Sequence, residues 1–562
     1  QQVEVVKGPS AILFGEAPPG GVVNAIQKKP TPTPQGEIKL EVGNNNYQSF
    51  GFDISDEANE AGSVRYRLVG VMNSSDGELD YSESDRFYIA PSVEVDISDD
   101  TMLTLTGSYL KDDGTPTNGF FPASGSLIDS DYGSIDSSTN LGEPGYDAYE
   151  RTQISLGYLL EHDYNGIWTL SQKLNYGYND LLLRSVYAFP NSDASASELN
   201  RGVVFRDGTN QSLTLDNKVV ANWYSDRAEH TLLTGIDLQY HRTKGEEQDS
   251  YSFSSINPFN PEHGDYTPLD SANNIDREIS KSQASLYSQY QIKFDEQWIA
   301  LAGARYDWVN TENKSDKGNQ DESNDDGQLS LNAGIMYLAD NGVSPYVNYA
   351  QSFEVLSTID PSTGELYTPL EGEQIEVGVK YQPDFMDGYI NLAWFDITQK
   401  NALVTNPVNW VATQTGEVQS KGVELDILTQ VTKSIKVSAA YTYTDAATDD
   451  SGGKGTQQAG LIPKHAASAW IDYDTAMIGI HGLNIGTGVR YIGESKDSPA
   501  SSDLTVPSAT LWDMAVSYDI SSQWQVQLNV NNLLDEEYIA SCDYYCYYGQ
   551  SRSITLNANY RW

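Results

Sequence analysis

Two cysteines, six histidines and a set of loop aromatics are the side chains of this sequence whose types and spacing could bind or react. Cys542 and Cys546 stand four apart in "SCDYYCYYG". An iron–sulfur cluster would need further thiolates, and the chain has no other cysteine. His162, His230, His241, His263, His465 and His481 are scattered, without the close spacing by which imidazoles share a zinc ion. "GPSAILFG" (Gly8 to Gly15) has phosphate-loop glycines but lacks the Gly-Lys-Ser/Thr ending that cradles a phosphate. No catalytic residue, no side-chain metal site and no enzyme activity are therefore expected. What remains is binding chemistry. Phe120, Phe121, Tyr146, Tyr187, Phe189, Tyr251, Phe253, Phe259 and Tyr266 fall in three long polar segments, and Tyr544, Tyr545, Tyr547 and Tyr548 flank the cysteines. Rings with a polar tip suit a ligand whose surface mixes apolar and carbonyl groups.

The elements that must position these residues are strands. Tyr (37) and Trp (10) are abundant, and the Ala/Leu/Glu/Lys-rich windows of long helices are missing. Acidic residues outnumber basic ones 79 to 34, a net charge of −45 that repels phosphate backbones and argues against nucleic acid as a partner. No apolar run reaches the roughly 18 residues of a helical membrane span, but a spanning β-barrel needs only about 9–11 residues of alternating polarity. That alternation is present. In "RFYIAPSVEVDI", Phe87, Ile89, Pro91, Val93, Val95 and Ile97 share one face, and Arg86, Tyr88, Ala90, Ser92, Glu94 and Asp96 the other. Trp524, Val526, Leu528 and Val530 repeat it, as do Ile554, Leu556, Ala558, Tyr560 and Trp562. Tyr66, Tyr109, Tyr240, Trp298, Trp308, Tyr381, Trp512 and Trp524 sit near expected strand ends, as girdle residues do.

Connections alternate between tight turns and long stretches. Asp163 to Gly166, Ser225 to Glu229 and Asp295 to Gln297 are tight; Gly114 to Tyr149, Asp180 to Gln211, Lys244 to Ser280, Glu312 to Asp326 and Leu533 to Tyr548 are long. The rhythm predicts an all-β fold: about 22 antiparallel strands closed into a transmembrane barrel, short turns on the periplasmic side and long loops outside. Such a lumen is too wide for its own side chains to fill, so it is an open channel or holds a plug. The first 34 residues suit the second case. "VEVVKGP" reads as a short strand, "SAILFG" as a helical turn, "EAPPGG" as a loop needing positive φ, "VVNAIQKK" as a second strand, and "PTPTP" as a stiff exit.

Val3 to Pro30, "VEVVKGPSAILFGEAPPGGVVNAIQKKP", closely resembles the segment that closes the plug of TonB-dependent siderophore receptors of the ferrichrome and hydroxamate type. The likeness continues through "LGEPGYDAYERTQISLGY", "GEQIEVGVKYQP", "QTGEVQSKGVELD", "ASAWIDY", "VNNLLDEEYIASC" and the terminal "YRW". The resemblance implies an N-terminally truncated receptor: a C-terminal remnant of the plug over residues 1–34, with its turns at Gly8, Pro9, Gly15, Pro19, Gly20 and Gly21, and a barrel over 35–562. It implies an outer-membrane location, import of a ferric siderophore, and energy supplied through TonB by way of a plug portion not in this sequence. Iron would arrive already chelated, with no cofactor held by side chains, and lipid and lipopolysaccharide would surround what is expected to be a monomer. The ligand candidates are then Phe120, Phe121, Tyr187, Tyr251, Phe253, Tyr266, Tyr544 and Tyr545. Placed outside the cell by the strand count, Cys542 and Cys546 are expected to form a disulfide closing a small ring, and the resembling receptors carry a Cys pair in this loop. They often set an aromatic after its first Cys, where Asp543 stands here.

Loop acids bear on the ligand's charge. Asp129, Asp131, Asp136, Glu143 and Asp147 occur between Gly114 and Tyr149 without a Lys or Arg. They would disfavour an anionic ferric catecholate, or bridge divalent cations among lipopolysaccharides, or merely solvate the loops. A passive porin, an adhesin or phage-receptor scaffold, and a receptor for cobalamin or a sugar are the rival readings.

Overall fold

The computed structural model describes residues 2–116, 118–189, 197–317, 321–405, 412–450, 455–497, 504–543 and 545–562. A closed antiparallel barrel of 22 strands dominates it. Closure is made by Gln35–Gly43, which pairs on one side with Gln48–Glu57 and on the other with the last strand, Ser553–Arg561. The short segment Gly455–Gln458 and the strand His465–Asp474 lie end to end against Ile435–Asp450, so they form a single stave.

The distribution of polarity is the reverse of a soluble sandwich. Phe87 and Ile97 are exposed, whereas Ser92 and Glu94 on the opposite face of the same strand are 3% and 7% exposed. Likewise Tyr306 and Trp308 point outward, whereas Arg305 and Asp307 are buried. Two sheets packed on each other would bury the apolar set. An apolar exterior around a polar interior is the arrangement of a barrel in lipid.

The strands run far beyond the bilayer. Leu199–Ser225 and Ala228–Ile256 have 27 and 29 residues, about 90 Å at a rise of ~3.3 Å per residue. The stretches expected to be loops at Asp180 to Gln211 and Lys244 to Ser280 are therefore largely strand: the ladder continues to Phe189, resumes at Leu199 and holds to Ile256. Polarity alternation fades there because neither face meets lipid, so the backbone hydrogen bonds persist without a sequence signature. Short connections are tight turns with positive φ, as at Asn45 and Asn46 (53° and 52°) and at Asp295 and Glu296 (51° and 59°), the backbone that matches the twist of paired strands.

The amino-terminal segment folds as a hairpin, Gln2–Lys7 with Gly21–Ile26, bridged by a helical turn at Ala11–Phe14. Its contacts reach strands all round the ring. Lys7 Nζ lies 2.7 Å from Glu424, Glu16 accepts from Lys281 Nζ at 2.8 Å, and Lys28 Nζ lies 2.6 Å from Asp53. Gln27 Nε2 donates to the carbonyls of Pro91 and Gly107. The hairpin consequently lies inside the lumen. Its helical turn buries Ala11 against Val309, Phe353 and Val355 of the wall. At Gly15, φ is 74° and an added Cβ would come 2.8 Å from Nη2 of Arg305, so both conformation and space require glycine. Arg305 is held there by Asp237, Ser285 and Asp307, a buried cation paired with two carboxylates.

Candidate ligand-binding mouth

The segment after Gly114 runs across the outer mouth and is stitched to the last loop. Cys542 and Cys546 face each other in the hairpin Ile539–Asp543 with Tyr545–Tyr548 and are joined by a disulfide (S–S 2.04 Å). Phe121 exchanges both backbone hydrogen bonds with Cys546, at 3.0 and 2.8 Å, so the earlier loop adds an edge to that hairpin. The sulfurs are buried with Val506 against Ala123, Leu127 and Ile539.

Extended backbone sends consecutive side chains to opposite faces, and this separates two neighbouring phenylalanines. Phe121 turns inward and is 1% exposed, packed edge-on against Tyr548, whose hydroxyl donates to the Ile135 carbonyl. Phe120 turns the other way. Its ring centroid lies 6.2 Å from Tyr187, 5.7 Å from Tyr545 and 5.6 Å from Tyr547. Tyr187 meets Phe189, and Phe189 meets Tyr251, which is 71% exposed. Six rings from four segments thus line one side of the mouth. Burial pushes the Tyr545 phenol up to about 12, helped by the nearby Tyr187 and Tyr547, and burial raises Tyr187 and Tyr547 as well. At neutral pH these phenols stay protonated, so they can donate hydrogen bonds to ligand oxygens.

A second, separate aromatic group packs on Val186 and Val203. Tyr146, Phe253 and Tyr266 pack at centroid distances of 5.3 to 5.4 Å, with Arg184 over Tyr146 and Arg201 over Phe253. Beneath them is a polar seat. Arg201, fully buried, donates to Glu143 (3.1 Å), the Gly142 carbonyl (2.8 Å) and Ser254 (2.8 Å). Asp147 accepts from the backbone N–H groups of Val186 (2.7 Å) and Glu143 (2.8 Å). Burial raises its carboxyl to about 7 against the opposing pull of those two N–H groups.

Of the residues expected from sequence to meet ligand, the structure gathers Phe120, Tyr187, Tyr251 and Tyr545 in one cluster. Phe121 is instead buried against Tyr548, Phe253 and Tyr266 belong to the separate group with Tyr146, and Tyr544 lies outside the described residues. Glu143 and Asp147, taken from sequence as part of an acidic mouth, are instead structural, while Asp129, Asp131 and Asp136 are exposed. The Arg201 seat was not anticipated; the one signal was an acid-rich, lysine-free loop that needed a cation from elsewhere in the chain. Among the described residues, no group of three or more His, Cys, Asp or Glu is placed to hold a metal ion.

Residues 88–533 match the family described as "TonB dependent receptor-like, beta-barrel". This chain belongs to the TonB-dependent receptor family. The barrel of this TonB-dependent receptor therefore lies in the bacterial outer membrane. It is 34% identical to the ferrioxamine B receptor of Salmonella typhimurium, over 99% of this chain and 79% of that protein. It is 32% identical to the ferrichrome outer membrane transporter/phage receptor of Escherichia coli, over 100% of this chain and 79% of that protein. The crystal structure of the ferric-catecholate import receptor Fiu of E. coli superposes with a TM-score of 0.88 at 20% identity, covering 100% of this chain and 86% of that one, which is a likeness of fold.

Proposed function

We propose that this TonB-dependent receptor binds a ferric siderophore of hydroxamate type at its outer mouth and imports it with energy delivered through TonB. The observation that carries the ligand class is the six-ring cluster around Phe120, whose protonated phenols offer hydrogen bonds and whose faces offer apolar surface. It suits a chelate that presents carbonyl oxygens on a hydrocarbon chain. The relatives named for ferrioxamine B and ferrichrome support the same class. Exposed Asp129, Asp131 and Asp136 near the mouth disfavour an anionic ferric catecholate. Phe120, Tyr187, Tyr251 and Tyr545 are the proposed contacts.

Residues 1–34 are read as the C-terminal part of a plug and 35–562 as the barrel. The hairpin's salt bridges to Glu424, Lys281 and Asp53 would hold it in the lumen until a pull from the periplasm shifts it. Gly8, Pro9, Gly15, Pro19, Gly20 and Gly21 shape its turns. The receptor works as a monomer among lipid and lipopolysaccharide, and the iron is cargo bound by its chelator, with no resident cofactor.

Radioiron uptake tests this reading. The complete gene is expressed in cells lacking their own siderophore receptors, with ferrioxamine B, ferrichrome and a ferric catecholate as probes. Hydroxamate uptake that stops when TonB is absent, and drops at least tenfold in Phe120→Ala, is the expected result. A clear catecholate preference, or uptake indifferent to TonB, would overturn it.

A further inference from the structure

Below the aromatic cluster the inner wall carries a notch that the binding reading does not use. Four strands build it: Trp168–Phe189, Leu199–Ser225, Ala228–Ile256 and Ile275–Phe294. Its floor is a cross-strand pair of glycines, Gly208 opposite Gly245, in register with Leu181 on one side and Arg277 on the other. A Cβ on Gly208 would come 2.7 Å from the Gly245 Cα, so no side chain covers the backbone here. The resulting cavity measures about 310 Å³, room for roughly ten waters at ~30 Å³ each. That suits one arm of a chelate better than a whole one.

Its position and its charge both bear on the occupant. Leu181 lies six residues down the strand from Tyr187, about 20 Å at ~3.3 Å per residue. His241 and Lys281, beside the Glu16 salt bridge, lie four residues further in than Gly245 and Arg277, on the same strands. The notch is thus between the mouth and the luminal hairpin. Its rim is balanced. Arg206 is paired with Asp249 at 2.7 Å, and Arg277 with Glu247 at 2.6 Å. On the lumen side an anion finds no free cation and a cation no free carboxylate, because the other charged residues of the lining, Asp207, Lys244 and Glu246, alternate with the inward Gly208 and Gly245 and turn to the strands' opposite face. What the notch offers is apolar surface from Leu181 and Ile279, exposed strand backbone, and the short polar side chains of Asn210 and Thr243.

Building on the proposed hydroxamate reading, we propose that the Gly208–Gly245 notch is a second, inner station that receives an uncharged amide-and-methylene arm of the chelate after it leaves the aromatic cluster. It acts on transit and on the choice among chelates by arm length, leaving first capture to the mouth.

Asn210→Phe fills the notch from one strand and Thr243→Phe from the next, so the second serves if the first fails to assemble. Each is expressed from the complete gene, with barrel closure checked by heat-modifiable migration on gels. Ferrioxamine B binding, read by quenching of intrinsic fluorescence, should stay within twofold of wild type, while its radioiron uptake falls at least tenfold. Uptake by the filled variants within twofold of wild type would overturn the inference, as would equal loss of binding and uptake. Failure of the wild-type receptor to bind any hydroxamate would instead defeat the functional reading on which it rests.

Discussion

Replacing Arg201 with Met should unseat the outer loops without touching the barrel. The Arg201 and Glu143 side chains are 0% and 2% exposed, and their 3.1 Å contact joins the loop before Ala148 to the strand Leu199–Ser225. Removing the guanidinium takes away its bonds to Ser254, the Gly142 carbonyl and Glu143 together. Glu143 would keep one partner, the Gly264 N–H at 3.0 Å. A buried carboxylate stripped of its cation costs about 3–5 kcal/mol, and each ~1.4 kcal/mol is tenfold. Local opening of residues 118–147 and 257–274 should then become two to three and a half decades more frequent, on the order of a hundredfold or more. Hydrogen exchange read by mass spectrometry would show this as lost protection in those peptides, with the membrane strands unchanged. The double variant Arg201→Met with Glu143→Leu should recover most of the protection, because replacing both members with apolar groups leaves no unpaired charge. Unchanged exchange in the single variant, or a double variant worse than the single, would refute the reasoning.

Asp147 should make the same seat pH-dependent. Its carboxyl is raised to about 7 by burial, so the folded loop binds a proton more tightly than the unfolded one, and loop stability falls as pH rises from about 4 to about 7 and levels off above. Exchange protection followed across that range checks it, and Asp147→Asn should be flat. Replacing both cysteines by Ser frees the five-residue ring between Cys542 and Cys546, about 2 kcal/mol by loop entropy. The Phe121–Cys546 pairing should loosen, and fluorescence titration should show ferrioxamine B binding weakened for want of a fixed Phe120. Leu331→Arg places a charge on the lipid face, where Leu331 is 40% exposed; about 2–4 kcal/mol should be lost in urea titrations of folding into lipid vesicles. No loss would mean that this face does not meet hydrocarbon.

The alternation of Phe87 to Ile97 against Arg86 to Asp96 was readable because lipid and water impose opposite demands on the two faces of one strand. Above the membrane that demand stops. The continuation of the strands through Arg206 and Glu247 left no pattern in the residues, and a hydrogen-bond ladder that any side chain tolerates was mistaken for loop. The same limit applies to the mouth. Aromatic residues announced themselves by type, but Phe120 and Phe121 are identical in type and adjacent in sequence. Only the pairing of Phe121 with Cys546 decides which ring meets solvent and which is buried.

By itself, the sequence determined the two-faced strands, their number at about 22 and the turn positions of the first 34 residues, because each follows from polarity or from glycine and proline within a few neighbours. Tertiary structure alone decided that Arg201 would meet Glu143 across 58 residues, that the hairpin would span the lumen to Glu424 and Asp53, and that two glycines would meet to open a notch. Those outcomes depend on register between distant strands, and register is fixed by the whole ring closing at once.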